Sequence, residues 1–299
     1  MTNSLAIRIS IGAVLTIVAG VITAHAVARP ALPSAYVDGL PNQRPLVIGH
    51  ADDSGLGLVP GNTLAHLERM AELGVDVLDI DLHASRDGVV VLIHDDTVDR
   101  TTDGSGRVSD LTLAELETLD AGYDWTTDDG ATYPFRGQGL RIATLAEVLE
   151  RFPDWPIVME LKQEQPSMAQ ALCDTLRDQG ATARVIVPSS REKALAEFRA
   201  LCPEVATAAG TGDVTLSVVL SALGLGGTLS PAYSVAQVPV ASGGIPVVTP
   251  GWVTAMQARG VRVDVWTIDD PGEMQRLINL GVDGIFTNRP DVLLDLLGR

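Results

Sequence analysis

The chain has 299 residues, 46% of them hydrophobic, enough apolar material for one large core or two small ones. Its 38 acidic residues outnumber 21 basic ones and leave a net charge of −17, which repels a phosphate backbone and excludes DNA and RNA as partners. An acidic protein that handles an anion must overcome that repulsion locally, and a bound cation is the usual means.

Residues 1–28 open with a single cation, Arg8, followed by an uncharged apolar run from Ile9 to Thr23 and by Ala24, Ala26 and Ala28 in small-x-small spacing. This pattern reads as a signal peptide. The alternative is an uncleaved N-terminal membrane anchor, since about 20 residues just span a bilayer. Both readings put the remainder outside the cytoplasm, secreted or held at the outer face of the cytoplasmic membrane through this segment. Residues 29–44 are Pro-rich, lack periodicity and read as a linker, leaving 45–299 as the folded domain.

From Pro45 onward, short β-branched runs alternate with helical periodicity. The runs are PLVIGH, VLDIDLHAS, VVVLIHD, IVMELK, ARVIVPSS, EVATAAG, VRVDVWTID and DGIFTN. Such alternation predicts parallel strands joined by crossover helices. About eight units fit an α/β fold of the closed (β/α)8 type, a TIM barrel. The runner-up, a doubly wound open sheet, lacks its Gly-x-Gly-x-x-Gly turn after the first strand. Between the strands, Leu64, Leu67 and Ala71 fall on one helix face, and Thr112 with Glu115 and Thr144 with Glu147 predict capping boxes. The first box lies in a segment from about Asp96 to Arg141, rich in Asp, Thr and Gly, that reads as an insertion after the second strand, either a substrate lid or an inert decoration. Cys173 and Cys202 either pair between neighbouring helices or stay as two buried thiols.

Alternation along VLDIDLH turns Leu78, Ile80 and Leu82 toward the helices and puts Asp79, Asp81 and His83 on the inward face. Buried carboxylates need a cation, a basic side chain or water. The same alternation puts Glu160 and Lys162 together, and three carboxylates would suit Mg2+ or Ca2+. A structural ion network is the alternative. His50 and His94 end their runs at the rim where barrel enzymes do chemistry, and their near-neutral titration suits proton transfer. His83 is either a partner of the metal site or structural; His25 in the leader and His66, placed on a surface helix, are given no role.

The stretch from Asn62 to Gly122, with Gly49-His50 before it and RIATLAEVLE, IVMELK and VDVWTIDDPGEMQRLINLGVDGIFTNRP after it, resembles the glycerophosphodiester phosphodiesterases over nearly the whole chain beyond the leader. The resemblance implies a metal-dependent TIM barrel that hydrolyses glycerophosphodiesters to glycerol 3-phosphate and an alcohol. It further implies catalytic roles for His50 and His94, metal ligation by Asp79, Asp81 and Glu160, and substrate contacts from Lys162 and Trp266. The chain departs from the family pattern in three places. Ala51-Asp52 stands for the usual Arg-Gly after the first histidine, removing a guanidinium fork from the phosphate. Gly61 stands for a Glu, and Asp79 for a Glu one methylene longer, roughly 1.5 Å. Asp52 is either an added ligand or a solvent-exposed loop acid. The rivals are a phosphodiesterase directed at lysophospholipids and a barrel that binds phosphodiesters without cleaving them. An amidohydrolase is set aside because no histidine follows His94.

Overall fold

In the computed structural model, residues 20 and 22–299 are described. Eight parallel strands form the wall: β1 (Leu46–Gly49), β2 (Val77–Ala84), β4 (Ile157–Leu161), β5 (Val185–Val187), β6 (Ala206–Thr207), β7 (Val235–Pro239), β10 (Arg262–Trp266) and β11 (Gly284–Thr287). They are ordered β6-β5-β4-β2-β1-β11-β10-β7, and a parallel bridge from Ala208 to Val235 joins the two ends. The sheet is therefore a barrel, and the doubly wound alternative is excluded. One of the eight predicted runs is not a wall strand. VVVLIHD supplies β3 (Val90–Leu92), which turns back antiparallel on β2, while the sixth wall strand, Val235–Pro239, falls in sequence assigned no strand.

Helices α2 (Leu64–Leu73), α4 (Leu145–Arg151), α5 (Ala169–Asp178), α6 (Glu192–Leu201), α7 (Thr211–Ala222), α8 (Pro250–Ala258), α9 (Pro271–Leu280) and α10 (Pro290–Leu296) cover the outside. Their starts are written locally. Both predicted capping boxes form, with Thr144 and Glu147 opening α4, and the Thr63 hydroxyl accepts from the His66 amide at the start of α2, satisfying amides that have no partner within the helix. Leu78, Ile80 and Leu82 belong to the same apolar cluster as the helix residues Leu67, Leu145 and Leu172, as the alternation requires. Cys173 and Cys202 form a disulfide with Cα atoms 5.7 Å apart, tying α5 to the residue after α6.

The inward side chains Leu46, Ile48, Val77, Val158, Ile186 and Phe286 fill the barrel, joined from outside the wall by Tyr36. Tyr36 lies on α1 (Ala35–Gly39) and is 2% exposed. Within the segment 29–44, α1 thus docks on the barrel through Tyr36, and Arg44 pairs with Asp283 at 2.7 Å. Of the expected leader, residues 1–19 and 21 lie outside the described residues; residues 22–27 are helical. Among the described residues no helix is long and apolar enough to cross a membrane.

The insertion has its own small core of Val98, Val108 and Leu116 against Val91, Ile93 and Ile142, with α3 (Leu113–Leu116) closing it. It folds beside the mouth and supplies no side chain to the large cavity described below.

Candidate active site at the barrel mouth

Strand register brings the acids together. Asp81 is the Cα partner of Glu160, and Asp79 of Val158, so the inner face of β2 and β4 changes from apolar to acidic toward the C-terminal rim. Lys162 lies just beyond β4. Its ammonium sits 2.7 Å from Glu160 Oε2 and 3.2 Å from Asp81 Oδ1. Burial alone would lower the Lys162 amine, but Asp81 and Glu160 outweigh it and raise it, keeping the side chain charged.

Asp81 is fixed from a second side by Asn62, whose amide donates to Asp81 Oδ2 at 2.9 Å while its oxygen accepts the Asp81 N–H at 2.8 Å. Asn62 adopts φ +55°, a left-handed conformation that Asn tolerates better than most residues. Asp79 accepts the Ala51 amide at 3.3 Å. Burial, followed by the nearby Asp81 and Glu160 and against the pull of His50, pushes the Asp79 carboxyl up to about 7.

His50 follows β1. Its Nδ1 lies 2.6 Å from Asn288 Oδ1, because the β1–β11 register pairs Gly49 with Thr287 one residue earlier. Asn288 is oriented by Asp269, which accepts from its side-chain nitrogen and its backbone amide, both at 2.8 Å. The Asn288 nitrogen is thereby committed to Asp269, and its oxygen faces the imidazole. Nδ1 of His50 must carry the hydrogen, leaving Nε2 as the variable site. Burial lowers the imidazole, yet Asp79, the Asn288 bond and Asp81 together raise it above its ordinary value.

His94 is held in parallel fashion. Its Nδ1 is 2.8 Å from Asp95 Oδ1, and Arg100 grips Asp95 with Nε at 2.6 Å and Nη2 at 2.9 Å. Arg100 also donates to both oxygens of Asp53 at 2.8 Å. The insertion thus acts on the site as a brace for His94. The buried His83 ring lies between Gln163 Oε1 and the His94 carbonyl oxygen, 3.3 Å from each, a structural support.

His50, His94, Asp79, Asp81, Glu160, Lys162 and Trp266 all line one cavity of about 730 Å3. No arginine lines it among the described residues, so Lys162 is its permanent cation. The three carboxylates offer the hard oxygen donors that Mg2+ and Ca2+ take. Their oxygens do not all come within 4.8 Å of one another; the ammonium stands between Asp81 and Glu160.

Two expectations are corrected. Asp52 is not solvent-exposed: it is buried and accepts from Ser54 N at 3.2 Å and Gly57 N at 2.7 Å, closing its own loop. A Cβ at Gly61 would lie 2.3 Å from the Asp52 carbonyl oxygen, so this closed loop cannot host the longer acid. His66 does not face solvent; it is buried with neither ring nitrogen hydrogen-bonded. Asn62, Asn288, Asp269, Asp95 and Arg100 were not singled out from sequence. Asn288 and Asp269 lie within the quoted C-terminal motif, but nothing local announces a bond spanning 238 residues.

Residues 55–292 match the model of the glycerophosphoryl diester phosphodiesterase family. A glycerophosphodiester phosphodiesterase of Caldanaerobacter subterraneus subsp. tengcongensis is 31% identical over 264 residues, covering 85% of this chain and 98% of that protein. The structure of an Oleispira antarctica phosphodiesterase in complex with the product sn-glycerol 3-phosphate superposes with a TM-score of 0.70 at 28% identity, covering 89% of this chain and 100% of the other. A glycerophosphoryl diester phosphodiesterase domain from Mycobacterium tuberculosis, at 22% identity, shares the fold with a TM-score of 0.75 over 86% of this chain and all of that one. With the family model spanning most of the chain and a relative of this identity aligned nearly end to end, the protein belongs to the glycerophosphoryl diester phosphodiesterase family.

Proposed function

We propose that the protein hydrolyses glycerophosphodiesters to glycerol 3-phosphate and an alcohol, with His50 and His94 moving the protons and a divalent cation, Mg2+ or Ca2+, held by Asp79, Asp81 and Glu160. The observation that carries this reading is the pair of braced imidazoles in one cavity with three carboxylates and an ammonium.

Each histidine has Nδ1 tied, to Asn288 or to Asp95, so Nε2 is the atom that exchanges a proton. One imidazole takes the proton of the nucleophile, and the other donates one to the departing alkoxide. Lys162 brings fixed positive charge to the phosphoryl oxygens as negative charge develops on them. When bound, a dication polarises those oxygens further. Trp266 offers a ring face at the rim. Transient accumulation of a cyclic phosphate would mark attack by the substrate's own glycerol hydroxyl; its absence would mark attack by water.

We also place the domain outside the cytoplasm, delivered by the segment 1–28. The Cys173–Cys202 disulfide supports this, since such bonds persist in oxidising compartments.

The test is incubation of the protein with glycerophosphocholine, with and without chelator, followed by measurement of glycerol 3-phosphate. Release that stops on chelation and returns on adding Mg2+ or Ca2+ is the expected result. Stoichiometric binding without release would replace the enzyme with a phosphodiester-binding barrel.

A further inference from the structure

Strand β7 carries a polar side chain that the chemistry above does not use. Ala236 and Val238 join the apolar layer shared with the helices, whereas Val235 joins the barrel interior, so alternation turns Gln237 inward as well. Gln237 lines the same cavity as His50, His94 and Lys162. In the order of the closed wall β7 stands four strands from β2 in either direction, so Gln237 faces Asp79 and Asp81 from across the barrel.

A polar column beneath Gln237 sets its orientation. Asp264 on β10 is its Cα register partner and also pairs with Gly284. Only glycine leaves the carboxylate room there, since a Cβ at Gly284 would lie 2.5 Å from Asp264 Oδ1. Arg262, two residues earlier on β10, brings Nη2 to 3.6 Å from the same oxygen. Burial pushes the Asp264 carboxyl up to about 6, while Arg262 and, more weakly, Gln237 draw it down. The Gln237 nitrogen is sealed from solvent with no partner at full hydrogen-bond distance, and its pull on Asp264 places it on the side of that carboxylate. A carboxylate only accepts, so it takes the nitrogen end of the planar amide and leaves the oxygen end to the cavity.

An amide oxygen repels the anionic oxygens of a phosphodiester and recognises a hydroxyl. Depth decides which alcohol supplies it. The mouth is framed by Trp266 and by the hairpin of β8 (Ala241–Ser242) and β9 (Ile245–Pro246), where Ile245 is 64% exposed; the departing alcohol leaves by this route. Val158, Ala208 and Phe286 belong both to the packed barrel interior and to the cavity lining, so they form its floor, and Gln237 rises beside the buried Asp264 at that level. The part of the substrate retained on phosphorus occupies the closed end. We infer that Gln237 is a specificity-determining residue whose amide oxygen accepts a hydrogen bond from a free hydroxyl of the glycerol, with Asp264 holding the amide in place. The inference rests on the phosphodiesterase reading above and adds to it the group that tells glycerol from a plain alkyl alcohol.

The test is calorimetric affinity of the full chain, with Mg2+ present, for glycerol 3-phosphate against n-propyl phosphate, which has the same charge and carbon skeleton and neither hydroxyl. Binding is read rather than turnover, because a hydroxyl that attacks phosphorus would be missed from turnover for a different reason. A neutral hydrogen bond corresponds to roughly a 3- to 10-fold difference in affinity. The native protein should prefer glycerol 3-phosphate by that factor, and Gln237→Met, of similar length and without the amide, should bring the preference to within about twofold, with the fold checked by circular dichroism. Should Gln237→Met not fold, Gln237→Asn, which withdraws the same amide by one methylene, is read in the same way. Equal affinity of the native protein for the two ligands, or a preference unchanged in the variant, overturns the inference. A preference that vanishes in the variant, with no turnover of any diester by the native protein, would uphold the glycerol contact and instead overturn the phosphodiesterase reading.

Discussion

The Asn288 side-chain oxygen lies 2.6 Å from Nδ1 of His50, and Asp269 holds the Asn288 amide so that no other orientation satisfies both bonds. The relationship fixes the imidazole's tautomer and aims Nε2 at the cavity. Asn288→Ala should lower kcat by roughly 10- to 100-fold with KM little changed, because what is lost is the positioning of a proton-transfer group. Since the Asn288 bond helps to raise His50, whichever limb of the pH–rate profile His50 sets should move to lower pH. A changed KM with an unmoved profile would show that Asn288 serves only binding or folding.

Arg100 should matter to catalysis without lining the cavity. Its bonds to Asp95 come first among the causes that hold that carboxyl down at about 2, and Asp95 in turn holds His94. Arg100→Ala should cost roughly tenfold in kcat, with Arg100→Lys restoring little, because a single ammonium cannot reproduce a fork that spans two carboxylates. Full activity in Arg100→Ala would remove the insertion from the catalytic account.

His66 predicts an acid sensitivity of the fold. Burial, aided by the charge of His50, lowers its imidazole to about 4. The unfolded chain takes up this proton below about 6.5, its ordinary value, whereas the folded chain resists it until about 4. Between those values the unfolded state binds more protons, so stability is complete above the window and falls as pH drops through it, by about 1.4 kcal/mol per pH unit for this group. Urea midpoints at several pH values should show that slope in the native protein and a reduced one in His66→Phe. Equal slopes would mean that His66 is not the titrating group.

Much of the site was legible because strand alternation is a hard geometric rule. Leu78, Ile80 and Leu82 had to face one way, so Asp79 and Asp81 had to face the other, and a parallel neighbour then set Glu160 beside Asp81. The missed features depend on chain order or on unhelpful local composition. Val235–Pro239 ends in proline and alternates poorly, yet it is held by five register pairs with β10. Tyr36 was hidden in a proline-rich segment whose only cue was one aromatic residue. His66 adjoins the inward Leu67 on a helix whose buried stripe is wider than its leucines suggested. The Asn288–His50 bond exists only because the last wall strand closes on the first.

The most direct measurement is single-turnover release of glycerol 3-phosphate from glycerophosphocholine by the native protein, His50→Ala and His94→Ala, with metal present and folding verified. The account predicts that each variant loses at least about 3 kcal/mol of transition-state stabilisation, more than a hundredfold in rate. Turnover within a few-fold of native in both variants would contradict it.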